Sequence, residues 1–225
     1  MRYAFEKILS IPKSLYLCVK LMPLMQALHL PVMVRYNCKI KSAKGKIRLN
    51  APIRPMMMTV GFESVGIFDK KYERSIVQID GELELGSGKV MIGQGGRLCI
   101  MEGANLRFKG KFENSAMIEI ICKNNITIGN NVLTSWDILM MDTDFHQTIN
   151  TCDGIRNSAE GKITIGDNVW IGARCVVLKN TVIPAGCVVG ANTTVNKNFT
   201  EENCLLVGYP AEVKKHNVTR ANENE

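Results

Sequence analysis

Asp142, Asp144 and His146 stand two residues apart in the run Asp-Thr-Asp-Phe-His. In an extended segment, side chains at that spacing share one face. A carboxylate beside an imidazole fixes its tautomer and favours proton uptake, which equips a general base to take a proton from a hydroxyl near neutral pH. The same residues also read as a polar surface loop or a weak metal site, and the spacing alone does not choose among the three. The chain has two other histidines, His29 and His216. His29 lies among apolar residues and reads as structural. Eight cysteines show no CxxC pair or other metal-ligand spacing, so no metal centre is expected. They read as reduced thiols, which suits a cytoplasmic protein.

The run lies in a break between two regular stretches. From Ile165 to Thr200 the chain repeats in sixes: IGDNVW, IGARCV, VLKNTV, IPAGCV, VGANTT, VNKNFT. The first position is held by Ile165, Ile171, Val177, Ile183, Val189 and Val195. The fifth is small or medium at Val169, Cys175, Thr181, Cys187 and Thr193, and Phe199 breaks the rule. This period fits neither a helix nor a simple half-buried strand. It fits a short strand and a turn, repeated. Such a unit cannot bury its apolar face alone, so units must stack into a solenoid. Earlier sixes run through Ile100, Leu106, Phe112 and Ile118, and their phase slips before Ile128. Between Met140 and Lys162 the period is absent. An excursion between two good coils is where function concentrates.

The remaining stretches divide around the solenoid. Residues 1–36 are rich in Leu and Met and read as a short helical cap over the solenoid's open edge, or as a peripheral membrane contact with Lys7, Lys13 and Lys20 near headgroups. Pro12, Pro23 and Pro31 would kink or break a helix, and no apolar run reaches the about 20 residues a membrane span needs. No cleavable leader is expected. Residues 37–200 form the solenoid with its loop at 140–162. Residues 201–225 form a C-terminal extension with a Gly-Tyr-Pro turn, and its polar tail from His216 is expected to be disordered. The formal charge of +7 suggests anionic partners. The basic residues are scattered, so nucleic-acid binding is not expected.

The run ITIGDNVWIGARCVVLKNTVIPAGCVVGANTTVNKNF, followed by LLVGYPAEVKK, resembles the hexapeptide-repeat acyltransferases, most clearly from Ile118 to Lys215. With SWDILMMDTDFH, the likeness is to bacterial surface-polysaccharide acetyltransferases. The resemblance implies an all-β solenoid, a left-handed parallel β-helix. The hand comes from the resemblance alone, since parallel crossovers are otherwise right-handed.

The resemblance also implies an activity: acetyl-CoA-dependent O-acetylation of a sugar hydroxyl in capsular or lipopolysaccharide biosynthesis. His146 would be the general base. Asp144 would orient it, a role that a backbone carbonyl fills in some members, and Asp142 would face the acceptor. Pantetheine would pass Ala173 and Ala191. Asn196 and Lys197, at the family's Thr-Lys, would lie near the nucleotide. Trp170 would border the CoA channel, and Lys215 would reach a phosphate. Glu212 departs from the basic residue usual in its turn. The expected assembly is a homotrimer with the site between neighbouring prisms, in the cytoplasm at the inner face of the membrane.

Other readings stand beside this one. The same base could serve an amine, making the chain an N-acetyltransferase of a nucleotide-linked amino sugar. Serine or an antibiotic as acceptor would use the same chemistry. A carbonic anhydrase on this fold would need three His ligands, and His29 and His216 lie outside the repeat coils. A non-enzymatic scaffold would use the solenoid only as a rigid surface.

Overall fold

Each six supplies one strand and one corner. A computed structural model describes residues 2–69 and 72–221. Every first-position residue from Ile165 to Val195 is buried, and so is every fifth-position residue from Val169 to Phe199. The fourth position turns the corner in the left-handed region, with φ of 58° at Asn168, 59° at Arg174, 59° at Asn180, 69° at Gly186 and 59° at Asn192. Asn and Gly enter that region at low cost, and Arg174 is the exception. Coils stack closely: a Cβ on Gly172 would lie 2.8 Å from the Ala191 nitrogen.

Strands pair in parallel with those one coil on, giving three sheets of nine, seven and six strands that form the faces of a prism. In the regular coils Trp170 pairs with Val188, Val176 with Thr194 and Thr164 with Val182, eighteen residues apart. The coil before is longer, pairing Leu106 with Ile126 and Ile118 with Ile138. The added residues fall at the corner Lys123–Asn124, which is the phase slip seen in the sequence. The architecture is the left-handed parallel β-helix, with a helical segment before it and a hairpin after it. Its core is thin and mostly aliphatic. Phe108 and Phe112 are fully buried, with ring centroids 5.1 Å apart.

The N-terminal segment caps the prism. Helix α1 (Arg2–Leu21) and the short α2 (Leu24–Ala27) precede β1 (Val32–Val34), β2 (Lys39–Ala43) and β3 (Lys46–Leu49). β1 thus opens the first face from inside the stretch read as cap. α1 touches β1, β2 and β3, the first strand of each face, so it lies across the prism's end. It runs unbroken through Pro12. Pro12 and Ile8 are both exposed, so water can serve the carbonyl that the proline leaves without a donor.

The free edge of β1 is satisfied by side chains at helical spacing. Tyr36 N–H donates to Ser10 Oγ at 2.9 Å, Val34 N–H donates to Ser14 Oγ at 3.0 Å, and Cys18 Sγ donates to the Val32 carbonyl at 3.3 Å. Four helical residues rise about 6 Å and two strand residues about 6.6 Å, so the two ladders keep step. Edge groups that would otherwise recruit another strand are thereby closed.

At the other end, Leu205–Gly208 adds in parallel to the first face, and Ala211–Lys215 returns antiparallel beside it. The tail departs from expectation as far as it is described. Val218 N–H donates to the Asn203 carbonyl at 2.7 Å, and Arg220 donates to Asn131 Oδ1 at 3.1 Å. These bonds lay residues 216–221 back along a corner. Residues 222–225 lie outside the described residues.

One carboxylate is tied into the third face. Glu84 is buried and accepts from Asn50 at 2.9 Å, Asn105 at 2.7 Å and the Arg107 guanidinium twice at 2.9 Å. The Arg107 hydrogen bonds hold its carboxyl below the usual range. A depressed carboxyl contributes stability above its unfolded value and loses it as pH falls through the folded one. Glu84→Gln should therefore melt earlier than wild type near neutral pH, with the gap closing below about pH 4.3. Thermal melts across that range check this; a gap that stays constant refutes it.

Candidate active site

At the corner after strand Ile138–Met141 the chain leaves the prism and returns at strand Lys162–Ile165. Thr127 pairs with Thr164 and Thr164 with Val182, so the excursion occupies a single coil. Its root is Asp142, which is fully buried. Asp142 Oδ1 accepts from Lys123 N–H at 2.7 Å, and Oδ2 accepts from Asn124 N–H at 2.9 Å. The Cys122 thiol lies 3.6 Å from Oδ2. The carboxylate fills the corner that the two added residues create. Burial outweighs these donors and pushes the Asp142 carboxyl up, and burial with the nearby Asp142 charge pushes the Cys122 thiol up as well. Asp142 faces the prism interior, which corrects the expectation that it meets the acceptor.

Beyond the root the excursion is an antiparallel arm. Thr143 bridges Glu160, Asp144 N–H donates to the Ala159 carbonyl at 2.8 Å, and Thr148–Ile149 pairs with Arg156–Asn157. Asn150 and Asp153 close the tip: their carboxamide and carboxylate oxygens accept from Cys152 N–H at 3.0 Å and Ile155 N–H at 2.8 Å. Lys179, from a later coil at the same corner, clamps the arm. Its ammonium lies 2.7 Å from Asp144 Oδ2 and also donates to the Ser158 carbonyl. Lys123 pairs with Glu160 at 3.2 Å.

The one-face arrangement of Asp142, Asp144 and His146 does not form. Phe145 has φ +60°, and its N–H donates to Thr143 Oγ1 at 2.9 Å, so the segment turns instead of extending. Asp142 points in, Asp144 goes to Lys179, and His146 is exposed. Among the described residues none hydrogen-bonds the His146 ring, so Asp144 does not orient it within this chain. Sequence reasoning missed Lys179. Nothing marks a lysine in a repeat corner as the partner of a loop a full coil earlier.

Lys179→Ala should free the arm at its base. We expect faster proteolytic cutting between residues 144 and 158, and, if His146 acts in transfer, a fall of about tenfold in kcat/KM through its misplacement. Unchanged cutting would show that the clamp does not hold the arm.

The residues expected along CoA spread over the prism. Ala173, half-buried, and Ala191, exposed, stack at the corner between the first and second faces, and the Ala173 carbonyl accepts from Asn192 N–H at 2.8 Å. Trp170 opens a strand of the first face and is 37% exposed. Asn196 and Lys197 are exposed at the corner between the second and third faces, the corner of the arm, where the Lys197 ammonium lies 5.4 Å from the Phe199 ring centroid. Lys215 is exposed at the end of the last strand. A separate group, Glu201, Cys204 and His216, places ligand-type atoms within 4.8 Å of one another. His216 Nδ1 is already paired with Glu201 at 2.7 Å.

Residues 162–197 match the bacterial transferase hexapeptide model of six repeats. Over 139 residues the chain is 34% identical to a 24.8 kDa protein of the cps region of Klebsiella pneumoniae, covering 62% of this chain and 60% of that protein. Over 150 residues it is 27% identical to the putative lipopolysaccharide biosynthesis O-acetyl transferase WbbJ of Escherichia coli K12, covering 63% of this chain and 76% of the relative. Among solved structures, the polysialic-acid-specific acetyltransferase NeuO shares the fold, with TM-score 0.50 and 18% identity over 86% of this chain and 80% of that one. The chain thus spans about three fifths of the Klebsiella protein and three quarters of WbbJ. Residues 162–197 thus carry the bacterial transferase hexapeptide repeat, in coils that stack as it requires, and the chain is similar to proteins named as acetyltransferases.

Proposed function

We propose that the protein transfers an acetyl group from acetyl-CoA to a hydroxyl of a surface-polysaccharide sugar, with His146 as general base. The observation that carries this reading is the His146 arm: exposed, clamped at its base, and set at a corner of a rigid prism. The imidazole takes the proton of the sugar hydroxyl as its oxygen attacks the thioester carbonyl. A backbone N–H holds the oxyanion, and the imidazolium returns its proton to the departing thiolate. No covalent enzyme intermediate is required. The small side chains of Ala173 and Ala191 leave the main chain approachable by pantetheine, while Lys197 and Lys215 offer charge to its phosphates. The cps-region relative and the relative named for lipopolysaccharide biosynthesis support a saccharide acceptor.

A single chain does not bring these parts together. The arm leaves at the corner between the second and third faces, whereas Ala173 and Ala191 lie between the first and second. In this reading a neighbouring copy completes the site, as a homotrimer in the cytoplasm. Phe145, Ile149 and Ile155 are exposed on the arm and suit burial against that neighbour. The imidazole is then oriented from the neighbouring copy or by substrate.

The test is CoA-thiol release from acetyl-CoA with free, nucleotide-linked and lipid-linked sugars. Release that depends on a hydroxyl acceptor is expected. Release confined to amino sugars would replace this reading with N-acetylation. No release, together with no acetyl-CoA binding by calorimetry, would favour a scaffold.

A further inference from the structure

The outer face of α1 carries apolar side chains where a soluble helix carries charge. Phe5, Ile8, Pro12, Tyr16 and Val19 follow at steps of three and four residues, flanked by Leu9 and Ile11, and Leu24 and Met25 of α2, with Leu28 just after it, continue the surface. Apart from Pro12, each of these side chains is between 40% and 72% exposed. The opposite face of α1 is already used against the prism by Ser10, Ser14, Leu17, Cys18 and Leu21. The outer face is therefore apolar, and among the described residues only the inner face has a partner within the chain.

Its flank is basic. Lys20 is exposed beside the apolar face, and Lys13, Lys39 and Arg74 line a cleft along the helix with Tyr16. Among the described residues no acidic side chain lines that cleft. The single acid of α1, Glu6, is bound to Arg35 at 3.0 Å. Among the described residues no helix is long and apolar enough to cross a membrane, so the surface can lie on a bilayer without spanning it.

We propose that the cap's outer face binds the surface of an anionic lipid bilayer, with the apolar side chains entering the interface and the basic flank meeting anionic headgroups. A second copy of the chain fits less well, because it would bring like-charged flanks together. Since α1 lies across the prism's end, the prism stands on the membrane by that end. The arm leaves the fifth strand of the second face, four coil steps above β2. At about 4.8 Å per step that is roughly 20 Å. Resting on the transfer reading, this height directs His146 to sugars standing off the bilayer, away from the lipid headgroup. The attachment itself does not depend on that reading.

The experiment is co-sedimentation of the full chain with vesicles, without acetyl-CoA, so that its outcome is independent of transfer. Phosphatidylcholine vesicles are compared with vesicles that also contain phosphatidylglycerol. Wild type should sediment with the anionic vesicles and be released by salt. The double substitution Phe5→Glu with Ile8→Glu should lower partitioning about tenfold or more without changing the thermal melt. Lys20→Ala and Lys39→Ala should each lower it about fivefold. Wild type remaining in the supernatant, or a double variant sedimenting like wild type, would overturn the proposal. So would a wild-type mass by light scattering that falls in the double variant with no vesicle binding, because a second copy would then cover the face.

Discussion

On the proposed reading, His146→Ala should lower acceptor-dependent CoA release by about 10²–10⁴-fold and leave the thermal melt where it was. Both halves follow from the arm. The ring is exposed and no described residue hydrogen-bonds it, so its removal leaves no buried group unsatisfied. In that reading the chemistry fails because a sugar hydroxyl is a poor nucleophile until its proton is taken during attack. KM for acetyl-CoA should hold steady if the imidazole acts on the acceptor as proposed, because the loss then belongs to the transition state. Steady-state kinetics with the best acceptor, beside a melting curve, reads both quantities. Equal turnover in the two proteins would remove His146 from the mechanism. Asp144→Asn supplies the companion result. Its carboxylate is taken by Lys179 at 2.7 Å, so its loss should resemble that of Lys179→Ala and fall short of that of His146→Ala. An Asp144→Asn defect as deep as His146→Ala, with Lys179→Ala near wild type, would return Asp144 to the role of orienting the imidazole.

Much of the prism was legible because stacking leaves a period in the chain. First and fifth positions of each six had to face the core, and they do, down to the irregular Phe199 at the end of the run. Ala173 and Ala191, eighteen residues apart, fall at one corner for the same reason. What the period cannot carry is any relation across an interruption. The excursion erases the count, so His146 and Ala173 could not be assigned to their different corners from spacing. A single left-handed residue, Phe145, undid the shared face of Asp142, Asp144 and His146, and no propensity marks phenylalanine for φ +60°. The Ser10, Ser14 and Cys18 ladder was hidden because it matches a helical step of four to a strand step of two. The ordered tail was hidden because its partners, Asn203 and Asn131, are corner residues of distant coils.

Asp142→Ala should cost about 2–5 kcal/mol of stability, since it strips the acceptors from two backbone N–H groups, each worth about 1–3 kcal/mol when left unsatisfied in the interior. Lys123 N–H and Asn124 N–H point at its carboxylate from a corner that the regular coils lack. Asp142→Asn should recover only part of the loss. Its one carbonyl oxygen can accept from one of the two, and its amide turns a donor toward the other. The pH dependence has a definite sign. Burial raises the Asp142 carboxyl, so its contribution is greatest below the ordinary aspartate value and declines as pH rises through the raised one. The advantage of wild type over Asp142→Asn should therefore be larger near about pH 4 than near neutrality. Chemical denaturation of the three proteins at both pH values measures this, and an Asp142→Ala variant as stable as wild type would refute the anchoring role. Held well below its melting temperature, Asp142→Ala should still lose turnover, because the residue that closes the extended corner also fixes where the His146 arm begins. That separates the two carboxylates of the run: Asp142 joins arm to core, Asp144 joins arm to Lys179, and only His146 of the three has no partner among the described residues.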